Sequence, residues 1–547
     1  MGSVGSNFSS LANAFGHTGS YVEVIAVGGS MPAAGNIMST HIGIAMDGTP
    51  TGRVGSATGV LDLVLGTGRL LPLTATVLTT GTPVATAYII DNIQVTGVAG
   101  NAVITAGSSS ETTATFVRLA GSVIASNTAQ ITVITPGAIL SDNTTTQTVI
   151  ARNAVFSATQ GLIGTAVRPI RLDLTGGTLT ADTLGDAWIA EIAGDMRVAR
   201  VSSSSGNVWL DAERSILDGV DPLNPGAALG STAAKVLGNN ITLTARLGTI
   251  GVAGNDLEID TSRSIAGELT SLSTLGSTYI VEKSGDLVLD TVRATGVGSN
   301  AFVGNSSGRI LNGTPVGGIN VIAEGTRLFA VGNIGDPSLY LMTQVNRVEG
   351  ESTSGSVYVQ NTGALGVGGV AATYGGRAVS GIGAGGSVLL VSDDPITVTE
   401  TIGAAGLIRI TTPDALSLAA GSALAAGTDI WLLGSSITAD TALVVAGGSV
   451  TGTATTGAIT LGPDTRVTAT AGAITFAPGV GAALTIGPRT VLIAGTDIGL
   501  AAGSITSVDS TWTAGNTITG TSTTGDITLT RSVLTATSGD IGLSSAG

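Results

Sequence analysis

A four-residue motif, Gly-x-Ile-Gly, opens three successive stretches of this chain: GLIG at Gly161–Gly164, GTIG at Gly248–Gly251 and GNIG at Gly332–Gly335. The first copy continues PIRLDL and GDAWIAEIAGDMRV (Gly185–Val198) and closes with SILDG (Ser215–Gly219). The second continues LEID and GSTYIVEKSGDLVL (Gly276–Leu289) and closes with RILNG (Arg309–Gly313). The third carries PSLYL and GSVYVQNTGAL (Gly355–Leu365) and then diverges. Between closer and opener, Val149–Gly164 aligns without gaps on Val236–Gly251. Such self-similarity implies stacked copies of a small unit, because one unit cannot bury its apolar row alone.

A shorter pattern takes over further along. TGTATTGAITL (Thr451–Leu461) recurs as TGTSTTGDITL (Thr519–Leu529), and AGTDI (Ala426–Ile430) recurs at Ala494–Ile498. A small tag, Gly-x-Ile, begins at Gly457, Gly472, Gly503, Gly525 and Gly539. Glycine is expected to take a positive-φ corner at no steric cost. The next residue would face outward and the isoleucine inward, so that Ile459, Ile474, Ile527 and Ile541 stack in one column. Alternation after the tag, as in Ile-Thr-Leu, puts every second side chain in the core. Coils about 4.8 Å apart would then share parallel hydrogen bonds. The expected fold is all-β, a parallel β-helix (β-solenoid). A string of small β-sandwich domains or a β-propeller is the alternative. Sandwiches want bulkier cores than a chain with 3% aromatic residues and 82 glycines supplies, while 43% apolar residues is too many for disorder.

Three regions follow. Residues 1–136 are β-rich and irregular, early coils with strand-like runs at Tyr21–Val27, Val60–Leu65, Thr86–Val95, Gly100–Gly107 and Ala129–Gly137; Ser6–Phe15 would form one short helix or fray. Residues 137–390 hold the long modules, roughly 90 residues each. Within them Asp218–Lys235, with Pro222 and Pro225, is expected to loop off the side of the stack. Residues 391–547 form the short-tag solenoid and stop at SGDIGLSSAG inside a repeat, which reads as a fragment of a longer protein.

With these openers, the G-D/S-x-W/Y-I/V cores and the I-L-D/N-G closers, residues 130–547 resemble the shafts of filamentous-haemagglutinin-like giant bacterial surface exoproteins. The resemblance is one of repeat style. It implies a right-handed parallel β-helix, a secreted or cell-surface location, and a role in adhesion or as a stalk. The N-terminal secretion cap of the two-partner-secreted members is not recognisable in residues 1–130, and neither anchor nor receptor-binding tip is visible.

Charge and composition exclude several classes. A net charge of −15 with two lysines, Lys235 and Lys283, gives no basic cluster to hold nucleic acid. Without cysteine there is no disulfide, thiol catalysis or Cys-based metal site. The N-terminal residues lack a basic, then apolar, signal pattern, and no uninterrupted apolar run approaches the ~18 residues of a membrane span. Export and anchoring partners would lie outside this sequence.

The residues that could carry chemistry are few. His17 and His41 lie apart in the least regular region, and GNSSG (Gly304–Gly308) lacks the strand-to-helix context of a nucleophile elbow. Carboxylates remain: Asp393 with Asp394, Glu258 with Asp260, and Asp186, Glu191 and Asp195 around Trp188. β-Helical polysaccharide hydrolases and lyases use such groups, in pairs or around calcium. Glu191 recurs as Glu282 and Asp195 as Asp286, which favours a structural turn or an outward solvating position, since a catalytic site is needed once. Calcium between stacked aspartates is a candidate cofactor; otherwise none is expected. Trp188, Tyr279 and Tyr358 occupy matching positions and are expected to form one outward column, a contact stripe for glycans or proteins of a host or neighbouring cell. Trp209, Trp431 and Trp512 would likewise suggest sugar-stacking platforms, with packing beneath side loops as the alternative. Threonines such as Thr451, Thr453, Thr455 and Thr456 read as outward strand residues. The functional expectation is a structural and adhesive shaft segment without catalysis. The alternatives are a carbohydrate-active β-helix enzyme and a self-assembling surface-layer or matrix protein.

Overall fold

The computed structural model describes residues 130–141, 149–219, 233–263, 267–314, 317–370 and 380–546, together with eight earlier strands between residues 22 and 124. His17, His41 and the stretch Ser6–Phe15 lie outside the described residues, as does most of the Asp218–Lys235 insertion. Every regular element is a β-strand, and the strands stack in parallel as a β-solenoid. The expected early strands are present as Val22–Ala26, Val60–Leu65, Ala87–Ile90, Ile93–Val95, Ala102–Ala106 and Gln130–Thr135. Val22–Ala26 departs from the rule by pairing antiparallel with Val60–Leu65. The chain divides into two compact units, Met1–Leu275 and Gly276–Gly547.

In the first unit the first opener sits through Ile163 in an inward column, Ile139, Ile163, Ala187, Val208, Ile241 and Leu269, whereas Ile250 of the second opener stacks on Ile216. All are essentially inaccessible to water. A second column runs Ile131, Ala154, Leu179, Val198 and then, unexpectedly, Asp218. The step from Val208 to Ile241 is the longest in its column because the insertion lies within it, between the strands Ile216–Asp218 and Val236–Leu237.

In the second unit the pattern expected from residue 391 becomes regular from Ile382. Each coil has three strands, and each strand pairs with the third one after it. One column reads Ile382, Ile402, Leu424, Val444, Val467, Leu492, Trp512 and Leu534. Trp512 is therefore a core residue, 0% exposed. At the end of the same strands stand Ala384, Ala404, Ala426, Ala446, Ala469, Ala494, Ala514 and Ala536, one per coil. The chain turns straight after each alanine, and the next N–H donates to the alanine carbonyl of the coil before, as from Gly447 to Ala426 at 2.9 Å. That corner leaves room for a methyl group and little more.

Two expectations about the Gly-x-Ile tag need correction. Its isoleucines do not share one column. Ile459 and Ile527 stack with Ile437, Leu484 and Ile505, whereas Ile474 and Ile541 stack with Val450, Ile498 and Ile518 on another sheet. A three-cornered coil can use the same turn at two corners. Nor do the tag glycines adopt positive φ. What requires glycine there is close approach: a Cβ on Gly503 would lie 2.2 Å from the carbonyl oxygen of Gly481, and one on Gly472 would lie 2.4 Å from Ser449 Oγ.

Left-handed backbone is concentrated elsewhere. Gly421, Thr441, Asp464, Arg489, Asp509 and Arg531 each stand two residues before the first strand of a coil, with φ between 48° and 83°. Their N–H groups are not wasted: those of Asp464, Arg489 and Asp509 donate to Pro488, Asp509 and Thr530 carbonyls of the next coil at 2.9–3.0 Å. The last glycine of the opener combines both demands. Gly335 has φ +74°, and a Cβ there would lie 2.2 Å from the Tyr358 carbonyl oxygen. Gly335→Ala should therefore cost roughly 1–3 kcal/mol or more, whereas Gly403→Ala, with nothing within 4 Å of the new methyl, should change stability by less than about 0.5 kcal/mol. Urea unfolding of the two variants checks this, and equal losses would refute the close-approach account.

Candidate functional site

The recurrent aspartates cap amides of the neighbouring coil. In the first unit Asn207 N–H donates to Asp186 Oδ1 at 2.8 Å, Asn240 N–H to Asn207 Oδ1 at 3.0 Å, and Glu268 N–H to Asn240 Oδ1 at 3.0 Å. Asp195 Oδ1 accepts the Ser215 N–H at 3.1 Å, and Ser215 Oγ accepts that of Thr249 at 3.2 Å. The second unit repeats the device with Asp286, Asn333, Ser356 and Ser387, and again with Asp429, Ser449 and Asp497. Tight turns leave the entering amide without a strand partner, and a short side chain one coil away supplies the acceptor.

The other carboxylates are also engaged singly. Asp393 accepts the Gly363 N–H at 2.7 Å, and Asp260 accepts the Ser262 amide and hydroxyl at 2.9 and 2.7 Å. Asp394 engages through its backbone, its carbonyl accepting the Thr412 hydroxyl at 2.7 Å. Glu258 alternates with buried Leu257 and Ile259 on its strand. Among the described residues no three His, Asp or Glu side chains are grouped to hold a metal ion. The GNSSG turn is likewise structural in its contacts, with Ser306 Oγ donating to the Glu282 carbonyl at 3.0 Å. Arg489 and Arg531 make paired hydrogen bonds to Asp464 and Asp509 across successive coils at 2.5–2.6 Å.

Glu191 points inward, 2% exposed, as does its counterpart Glu282, 0% exposed, so neither takes the outward solvating position that recurrence suggested. The Glu191 oxygens accept the Leu174 and Ala193 N–H groups at 3.1 and 3.3 Å. Desolvation by burial outweighs these bonds and pushes its pKa up to about 8, with the Asp173 charge adding to the rise.

The aromatic residues do not form the single column expected. In the first unit Trp188 pairs with Trp209, ring centroids 5.7 Å apart. In the second unit Tyr279 and Tyr358 belong to different stacks: one runs Tyr279, Phe302, Arg327, Glu349, the other Tyr358, Leu389, Arg409, Trp431, Thr451. The reason is the long strand Leu341–Ser352. Its first residues pair with Val357–Asn361, while the part from Arg347 onward pairs with Gly325–Ala330. Equivalence along the sequence therefore does not become superposition along the stack.

The two stacks have different surroundings. Tyr279 stacks on Phe302 with centroids 4.5 Å apart, and Val370 packs over them. Beneath the same segment Arg327 and Glu349 form an ion pair with side chains 5% and 3% exposed; Arg327 also donates to the Val370 carbonyl and Glu349 accepts the Val370 N–H, both at 2.9 Å. This is a locked face. The other stack is open: Tyr340 and Tyr358 lie 5.8 Å apart, and the Arg409 guanidinium stands 5.9 Å from the Trp431 ring, which is 46% exposed. Trp431 follows an inward isoleucine just as Trp188 precedes one, so the sequence carried a sign of it. Arg409 had none. A row of hydroxyls, Thr397, Ser417, Thr438, Thr460, Thr485, Thr506 and Thr528, also lines one sheet, extending the outward role expected of threonine.

Comparison with known proteins returns no matching family model, no matching curated protein and no matching solved structure. No helix among the described residues is long and apolar enough to cross a membrane.

The Glu191 environment sets a pH dependence. Between 4.5 and about 8 the folded state keeps a proton that the unfolded chain has released. Stability from this site is thus full below 4.5 and falls as pH rises towards about 8. Unfolding free energies of wild type and Glu191→Gln should therefore diverge in slope across this window, with the variant flatter; parallel curves would contradict the assignment.

Proposed function

We propose that the chain is a structural and adhesive shaft segment of a secreted or cell-surface bacterial exoprotein, whose coils present contacts rather than catalyse a reaction. The observation that carries this reading is the use of the carboxylates, spent coil by coil as acceptors for neighbouring amides and arginines. A β-helix hydrolase or lyase needs carboxylates converging on one bond. The contact surface we assign is the open stack Tyr340, Tyr358, Leu389, Arg409 and Trp431. Aromatic faces with an accessible guanidinium suit glycans or proteins on a host or neighbouring cell. Calcium has no part in this reading.

Beads coated with the chain should adhere to glycan-bearing surfaces, and the double variant Arg409→Ala/Trp431→Ala should lower retention several-fold with an unchanged melting temperature. A chelator should leave both quantities as they were. Release of sugar products from a polysaccharide panel, abolished by substituting Asp393 and Asp394, would overturn the proposal in favour of an enzyme. Lateral assembly growing with concentration would favour the layer-forming alternative.

A further inference from the structure

Asp218 occupies a position that is apolar in every preceding coil of its column, after Ile131, Ala154, Leu179 and Val198. Its side chain is 1% exposed. Lys235, one of the two lysines in the chain, reaches it from the far side of the insertion, with Nζ 3.3 Å from Oδ1 and the side chain 13% exposed. The two residues therefore stand at the two roots of one loop. The register sets Glu258 beside Lys235 on the next coil: the Lys235 N–H donates to the Glu258 carbonyl at 2.8 Å, and Glu258 Oε2 is shielded from solvent.

The second copy of the module supplies a comparison. Val321 pairs with Val292 as Val236 pairs with Val201, so Asn312 matches Asp218, Asn320 matches Lys235 and Met342 matches Glu258. There the roots of a much shorter insertion are held by a neutral bond, Asn320 Nδ2 donating to Asn312 Oδ1 at 3.0 Å. All three charged groups are present together in one copy and replaced together in the other. A neutral pair suffices to close that position, so closure alone does not explain a buried lysine and aspartate.

We propose that Asp218 and Lys235 are joined by an intramolecular amide bond, with Glu258 as the proton relay. The reaction starts from the ion pair. A proton passes from the Lys235 ammonium, by way of Glu258, to the Asp218 carboxylate, giving an amine and a carboxylic acid. Nζ then attacks Cγ, the new N–C bond forms, a C–O bond breaks, and the hydroxyl leaves with a proton as water. Nothing is oxidised or reduced, and no co-reactant is consumed. Burial favours the neutral form of Asp218 and raises its proton affinity. Fixed proximity replaces a bimolecular encounter, which accelerates such condensations by many orders of magnitude. This inference does not depend on the functional reading above.

The test is the intact mass of the purified full chain under denaturing conditions. We expect it to be lighter than its sequence by one water, with proteolysis yielding a branched peptide that contains both Asp218 and Lys235. Lys235→Arg, which keeps the charge pair, and Asp218→Ala, which removes the carbonyl carbon that is attacked, should each show their full unlinked masses while circular dichroism reports unchanged β-structure. An intact wild-type mass equal to the sequence overturns the proposal, leaving an ion pair. Water loss that persists in Lys235→Arg also overturns it, because it would mark cyclisation at Asp218–Gly219 instead. Glu258→Gln should leave most of the chain unlinked; full linkage in that variant would overturn the relay.

Discussion

The amide that leaves a strand finds its acceptor one coil away, and much else in the structure follows from that demand. Coils must come within hydrogen-bonding distance at the corners as well as along the strands. Where backbone meets backbone, as Gly503 meets Gly481, there is no space for a Cβ. Where the corner opens slightly, alanine repeats for eight coils. Where a turn leaves an amide short of a carbonyl, a side-chain oxygen of Asp, Asn or Ser is inserted. A buried amide without a partner costs free energy comparable to a lost hydrogen bond, and a stack pays that cost again at every coil. Glycine, alanine and short polar residues are thus corner solutions to one accounting problem.

The same demand shapes the chemistry left for the surface. An acidic chain with its carboxylates committed to corners has few free groups to concentrate at one place. Among the outward groups are the hydroxyl row from Thr397 to Thr528 and the stack from Tyr340 to Trp431 with the Arg409 guanidinium in it. The buried charges are exceptions, placed beside or at the ends of segments that leave the regular coils. Arg327 and Glu349 fasten the segment around Val370, and Asp218 and Lys235 bracket the insertion. A buried pair of this sort contributes specificity of docking more securely than it contributes net stability.

Much of the fold was legible because its signal is periodic. The openers, the alternation after each tag and the thin-core composition pointed to a parallel β-solenoid, and several strands before residue 136 could be read from short β-branched runs, though Leu73–Val77, Phe116–Leu119 and Val123–Ile124 were not. The column assignments could not. Gly-x-Ile marks a corner but not which of three corners, and coil length varies, so Ile459 and Ile474 look equivalent in sequence while standing on different sheets. Positive φ was expected at the tags and is found at Asp464, Arg489 and Arg531 instead, residues whose sequence context gives no hint of strain. The structural use of Asp195 was foreshadowed by its recurrence as Asp286. The Arg327–Glu349 pair had no such clue, because its partners occur once and meet only through the register of two long strands.

The corner residues Asp464, Arg489, Asp509 and Arg531 alternate in sign as well as sharing one backbone conformation. Each pair is exposed and adds little to the free energy of the correct arrangement. Its effect on an incorrect arrangement is larger in consequence. If a coil were skipped during folding, Asp464 would face Asp509 and Arg489 would face Arg531, with like charges at strand-to-strand distance. The apolar columns of Ile, Leu and Val carry no charge with which to make that distinction. The alternating corner works as a parity check on a repetitive chain, marking odd coils from even ones where the core cannot tell them apart.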